Sequence, residues 1–326
     1  MLRPIERLLD LRPGELERGL LLFAYLFLVM SSFVVAKAIR DALFLDEFGA
    51  LLLPYADIAV AVLVGLWISV YLRIAGRSSV RDLQVGSLIF FAVNCLVFWW
   101  LAQVTRGAWM TPVIYVWVGM FGVVAPAQVW TLANYVLTTR EAKRMYGFIG
   151  SGATAGWIVG GYLTQVTVKR FGAESTLVGI AVALLISAVL VARIWRCRPV
   201  VDREQMLTAR RVVGTSSVWT SLRLIATSPY LTSIAAVILL SSYTTAVAGW
   251  QFKAISSHAI TGRDELAAFF GRFNFYAGII SFCLQWLFTG RLLRRLGLGF
   301  ALFVVPVGLT LGSLGLLSFK SLAAVV

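Results

Sequence analysis

The sequence predicts an all-α, polytopic membrane protein of about nine transmembrane helices, on the evidence of its composition, the length of its apolar blocks and the placement of its positive charge. Hydrophobic residues make up 60% of the chain and charged residues 13%, with a mean hydropathy of +0.86. A soluble domain is near half apolar and about a quarter charged, so a water-soluble fold is excluded. The apolar residues fall into nine blocks, 20–44, 50–72, 83–104, 109–137, 147–168, 176–195, 231–250, 266–290 and 298–319. Each is long enough to cross a hydrocarbon core of about 30 Å as a helix, which needs roughly 20 residues.

The third observation is the charge. A formal net charge of +14 would suit a nucleic-acid binder only if the basic residues shared one solvated face. They do not. With the N-terminus placed in the cytoplasm, 20 of the 29 Lys and Arg fall on inside segments and nine on outside segments or outer span ends. Every inside loop is basic, as the positive-inside rule requires. This topology puts the loops 73–82, 138–146, 196–229 and 291–297 inside and 169–175 and 254–265 outside. The expected location is the cell inner (plasma) membrane, multi-pass, with lipids as partners and no nucleic acid. The first 18 residues hold no short apolar stretch with a cleavage site, so the first span is expected to act as the membrane signal.

A tight basic loop between two long spans occurs twice, at 73–82 and again at 290–297 with Arg291, Arg294 and Arg295. Equating the two sets a repeat of six spans, and the one long connection falls after span six. The pattern predicts a six-helix half at 1–195, a cytoplasmic connection at 196–229 and part of a second half at 230–326. Two six-helix halves are the build of major-facilitator transporters. Six spans followed by three is an unclosed bundle, which implies that about three helices are missing from the sequence. Within the connection, residues 217–226 suit a short interfacial helix or an ordinary connector.

Gly152, Gly156 and Gly160 in span five recur every fourth residue, a period that lets helix backbones approach closely in lipid. Pro126 in span four is expected to kink it. Cys95, Cys197 and Cys283 are too few and scattered for a disulfide framework or a metal site, and read as small apolar fillers. No phosphate-binding glycine loop, metal-ligand spacing or nucleophilic triad is present, so no enzyme, metal or cofactor is implied.

Ionisable groups inside spans are expensive and usually face a cavity. Lys37, Arg40 and Asp41 share one face of span one at i, i+3 and i+4. Asp57 in span two and Arg272 in span eight lie at a similar depth, about 10 Å from the outer surface at 1.5 Å per residue. Together they predict a charged layer that binds an anionic solute through its cations, with Asp57 or Asp41 as counter-ion. Snorkelling of these side chains to the outer interface is the competing reading. Lys253 is expected at the outer interface and His258 in a polar outer loop.

Further residues carry a family resemblance. Trp130, Asn134, Thr138, Thr139, the run Glu141 to Arg144, Tyr146 and Gly150 resemble the end of helix four and the next loop in bacterial and plastid-type ATP/ADP translocases. Arg40-Asp41 is similar to that family's R-D element. The stretch 270–306, with its F-x-G-x-F/N opening, Arg294-Arg295-x-Gly297 and Pro306, is similar to its eighth and ninth helices. After Arg-Asp, where the family commonly carries a lysine and a second acid, this chain has Ala42, Leu43 and Phe44. Before Trp250 it has Ala248 and Gly249 where an acid is usual. The resemblance implies a nucleotide transporter, with ATP and ADP as solutes exchanged by alternating access, and adds Asn134 and Asn274 to the candidate solute-binding residues. A carrier of another metabolite and a non-transporting sensor or scaffold domain are the alternatives.

Overall fold

The computed structural model describes residues 15–75, 79–104, 107, 109–197, 218–285, 307, 308 and 310. The ninth apolar block and the loop holding Arg291, Arg294 and Arg295 lie almost entirely outside these residues. The protein is all-α, with no strand among the described residues. Helix α1 is Glu15–Phe48, followed by a 3₁₀ turn at Ala50–Leu52. Then come α2 (Leu53–Ala75), α3 (Val80–Val104) and α4 (Met110–Val136). A 58-residue helical stretch, Thr139–Arg196, follows. A short helix α7 (Val218–Thr227) leads into α8 (Pro229–Ala259) and α9 (Arg263–Leu284). Seven of these helices are long and apolar enough to cross a membrane.

The 58-residue stretch would be about 87 Å long at 1.5 Å per residue, against a hydrocarbon core of about 30 Å. It is broken at Gly172, whose φ of 77° and ψ of 164° belong to a backbone region that only glycine enters readily. We therefore number 139–171 as α5 and 173–196 as α6. The outer loop expected at 169–175 reduces to this one non-helical residue.

Other boundaries also tighten. Leu137 is extended, and Thr138 starts α5 at once through a capping box in which its hydroxyl and the Glu141 carboxylate cap each other's backbone N–H groups. That reciprocal arrangement satisfies two helix-end donors that would otherwise be orphaned. The outer loop expected at 254–265 shortens to 260–262, because α8 continues past Trp250. Ser256 is buried there, with its hydroxyl donating to the Phe252 carbonyl. His258 thus sits in the last turn of a helix and not in a loop, though its side chain is exposed. The connector at 217–226 does contain a helix, α7, and the chain continues through Pro126 within α4 without a break.

The core is organised around α1 and α5. Along α5 the glycine ladder faces α1: a Cβ on Gly152 would come within 2.7 Å of the Phe23 carbonyl oxygen, one on Gly156 within 2.5 Å of that of Phe27, and one on Gly160 within 2.8 Å of that of Ser31. Ser31 seals the contact by donating its hydroxyl to the Gly156 carbonyl at 3.0 Å. Another face of α5 meets α9 as closely. At Gly161 an added Cβ would lie 2.5 Å from the Phe275 backbone nitrogen, and at Gly271 one would lie 2.9 Å from that of Gln165. Small residues replace the side chains that would hold these backbones apart, which is how helices gain packing energy where lipid removes the hydrophobic drive. Exposed apolar side chains such as Tyr55, Leu66, Val237 and Leu239 line α2 and α8, as suits helices in lipid.

Substituting Gly156 or Gly161 by Ala should cost about 1–3 kcal/mol by overpacking against backbone atoms that cannot swing away. Gly147→Ala, with nothing within 4 Å of its Cβ, should melt like the parent. Thermal unfolding of the three variants in detergent checks this ordering.

Candidate functional site

Helix α1 is buried on most sides along its C-terminal half, and there it presents Lys37, Arg40 and Asp41. The Arg40 Nε donates to Asp41 Oδ1 at 3.1 Å, a bond between neighbours that the long arginine side chain makes possible. Asp41 Oδ2 takes a second cation, Lys253 Nζ of α8, also at 3.1 Å. The three side chains are 11%, 5% and 16% exposed, so this carboxylate is shared by two cations largely removed from solvent. Desolvated charges at this depth require such pairing.

Two aromatic rings extend the cluster. The Arg40 guanidinium lies 4.3 Å from the centre of the Tyr115 ring in α4, and the Lys37 ammonium lies 5.4 Å from that of Trp157 in α5. Both are cation–π distances. Tyr115 in turn donates its hydroxyl to Asp57 Oδ1 of α2 at 2.7 Å. Five helices therefore contribute to one assembly of three cations and two carboxylates, which carries one positive charge in excess. An interior formal surplus of positive charge with ammonium and guanidinium donors favours an anion, and above all a phosphate, which accepts several charge-assisted hydrogen bonds at once.

Arg40, Asp41 and Asp57 meet through Tyr115, and Lys37 stands on the same helix one turn away. Arg272 does not join them. The first turns of α9 are buried all round, from Leu266 to Gly271, followed by Asn274 and Gly278. Arg272 is exposed. Asn274 is buried, but its amide nitrogen donates to the Phe270 carbonyl of its own helix at 2.8 Å. Asn134 is exposed and accepts a hydrogen bond from the Tyr146 hydroxyl.

Asn134 belongs to a second constellation at the opposite end of the bundle, near the start of α1. Trp130 packs edge-on against Tyr146 at 5.4 Å. Glu141 accepts from the Thr138 backbone N–H at 2.7 Å and pairs with Arg18 at 2.7 Å, while Arg18 also donates to the Val136 carbonyl. The residues that carry the family resemblance thus build the α4–α5 elbow and tie it to the start of α1.

Lys253, read from the sequence as interfacial, is instead a member of the cluster. The correction follows from helix length: α8 runs nine residues beyond Trp250, which draws Lys253 inside the helix. The apolar residues Phe252, Ala254 and Ile255 around it were the available signal. Tyr115 and Trp157 gave no signal, being two aromatics among many in apolar spans.

A family model described as TLC ATP/ADP transporter matches residues 90–324. The match runs from the middle of α3 through α9 and does not include α1 or α2. No curated protein and no solved structure matches the chain.

Tyr115→Phe and Asp57→Ala each remove the same hydrogen bond, so their effects on stability should fall short of additivity. A double-mutant cycle by thermal or denaturant unfolding should give a coupling of about 0.5–3 kcal/mol. Strict additivity would mean that the bond does not form in solution.

Proposed function

The chain belongs to the TLC ATP/ADP transporter family, and from that premise we propose that it exchanges ATP for ADP by alternating access, with the phosphates held by the cations of the α1 cluster. The observation that carries the assignment of the site is the buried surplus of positive charge made by Lys37, Arg40 and Lys253 against Asp41 and Asp57. Cations in a low-dielectric interior attract phosphate more strongly than cations in water. In this reading Arg40 and Lys37 contact phosphate oxygens, and the two carboxylates keep the cations compensated when no solute is bound. The protein is a multi-pass membrane protein. Its basic loops support placing the N-terminus on the cytoplasmic side of the inner (plasma) membrane.

The test is uptake of labelled ATP by liposomes carrying the purified protein, with and without ADP preloaded inside. Internal ADP should accelerate uptake. Arg40→Ala should lower it well over tenfold, because losing one buried charge contact costs about 2–5 kcal/mol, while accumulation of the protein stays at the parental level. Asp57→Asn should be milder, since it changes the resting charge balance and removes no phosphate partner. Uptake by Arg40→Ala equal to that of the parent would remove the cluster from the transport path.

A further inference from the structure

Among the described residues, the polar links from α8 and α9 to the first six helices gather at one end of the bundle. Trp250 Nε1 donates to the Ala50 carbonyl at 2.8 Å, and Lys253 pairs with Asp41. At the head of α9, Arg263 pairs with Glu174 at 2.8 Å, and Asp264 accepts from the Ala173 backbone N–H at 3.0 Å. All four lie near the outer turns at Gly49, Gly172 and Gly262, the three positive-φ glycines among the described residues. At the opposite end the ion pairs Arg18–Glu141 and Arg193–Glu17 join α1 to α5 and α6. There α8 is exposed along most of its length, apart from the half-buried Leu231 and Ala235, and becomes mostly half-buried from Val247 onward.

The four links differ in weight. Arg263 is 49% exposed, and such solvated pairs contribute little. Lys253 and Asp41 are desolvated, and Trp250 holds a backbone carbonyl that belongs to the turn between α1 and α2. We propose that Lys253–Asp41 and Trp250–Ala50 together form a bolt between α8 and the α1–α2 corner, which holds the outer end of the protein shut and has to break for that end to open.

The arrangement suits a bond made to be broken repeatedly. A buried ion pair is normally hard to separate, because removing one partner strands the other charge. Here Asp41 has a second partner on its own helix, Arg40, bonded to its other oxygen. When α8 withdraws, Asp41 stays compensated by Arg40, and Lys253 leaves toward water near the end of its helix. Neither charge is stranded. The Ala50 carbonyl, in a 3₁₀ turn at the surface, likewise gains water in place of the indole.

The bolt can be tested by distance measurement between spin labels at Leu51→Cys and His258→Cys, both exposed positions flanking it on the two sides. The full chain is used in liposomes, with Cys197 and Cys283 changed to Ser and buried Cys95 retained. The parent should give mainly one short distance. Lys253→Met should add a longer-distance population, and Trp250→Phe with Lys253→Met should enlarge it. The charge exchange Asp41→Lys with Lys253→Asp should return the distribution toward the parent. A folded Lys253→Met protein, with parental elution and melting, that keeps the parental distribution overturns the bolt. Should Lys253→Met fail to accumulate, the exchanged pair carries the test: recovery with the short distance supports the bolt, and recovery with a long one overturns it. No solute enters this readout, so a failure of nucleotide exchange would leave its outcome unaffected.

Discussion

The carboxylate of Asp41, shared between Arg40 on its own helix and Lys253 on α8, is the contact on which the rest of the arrangement turns. A lone carboxylate at 5% exposure would be protonated or would draw in water, and a lone Arg40 beside it would be as costly. Shared, the three groups can stay charged away from solvent. The same sharing fixes where α8 must sit, because an ammonium group reaches a given oxygen only from a narrow range of helix positions. It also leaves the cluster with more positive than negative charge, which gives an anionic solute a reason to enter.

Holding such a group in place demands a rigid frame, and the glycine ladder of α5 supplies it. Backbone-to-backbone contact with α1 at Gly152, Gly156 and Gly160, and with α9 at Gly161 and Gly271, leaves no flexible side chain between the helices. The helix that bears Lys37, Arg40 and Asp41 is therefore seated against one that also carries Trp157 beneath Lys37. At the opposite end, near the start of α1, the Arg18–Glu141 pair and the Thr138 capping box fasten the same two helices again. Packing and electrostatics act on one pair of helices, and the charges of the cluster inherit their positions from both.

The fold class was legible from the sequence because apolar block length and loop charge are additive properties of many residues. The charged face of α1 was legible because i, i+3 and i+4 spacing needs no tertiary information. Lys253 lies beyond the last continuous apolar residue, where the sequence alone ends the helix, whereas Phe252 and Ser256 carry α8 onward by packing. Depth alone points to Arg272 in the sequence, and depth says nothing about rotation around the helix axis; in the structure its side chain is exposed. Tyr115, which joins Arg40 to Asp57, is an aromatic in an aromatic-rich span, and only its neighbours in space distinguish it. Asn134 and Glu141 were read through a resemblance, and the structure gives them a local architecture in the α4–α5 elbow.

The central claim is that the buried charges serve a phosphate-bearing solute and set where α8 sits against α1, while the packing of α1, α5 and α9 is what keeps the chain folded. Apolar replacement of a buried ionic cluster is often neutral or stabilising when its role is not structural, so the direct measurement is the melting temperature of the Arg40→Met, Asp41→Leu, Lys253→Met triple variant with and without ATP. The account predicts melting at or above that of the parent without solute, and loss of the upward shift that ATP gives the parent. A triple variant that melts far below the parent, or that keeps the full ATP-dependent shift, would contradict it.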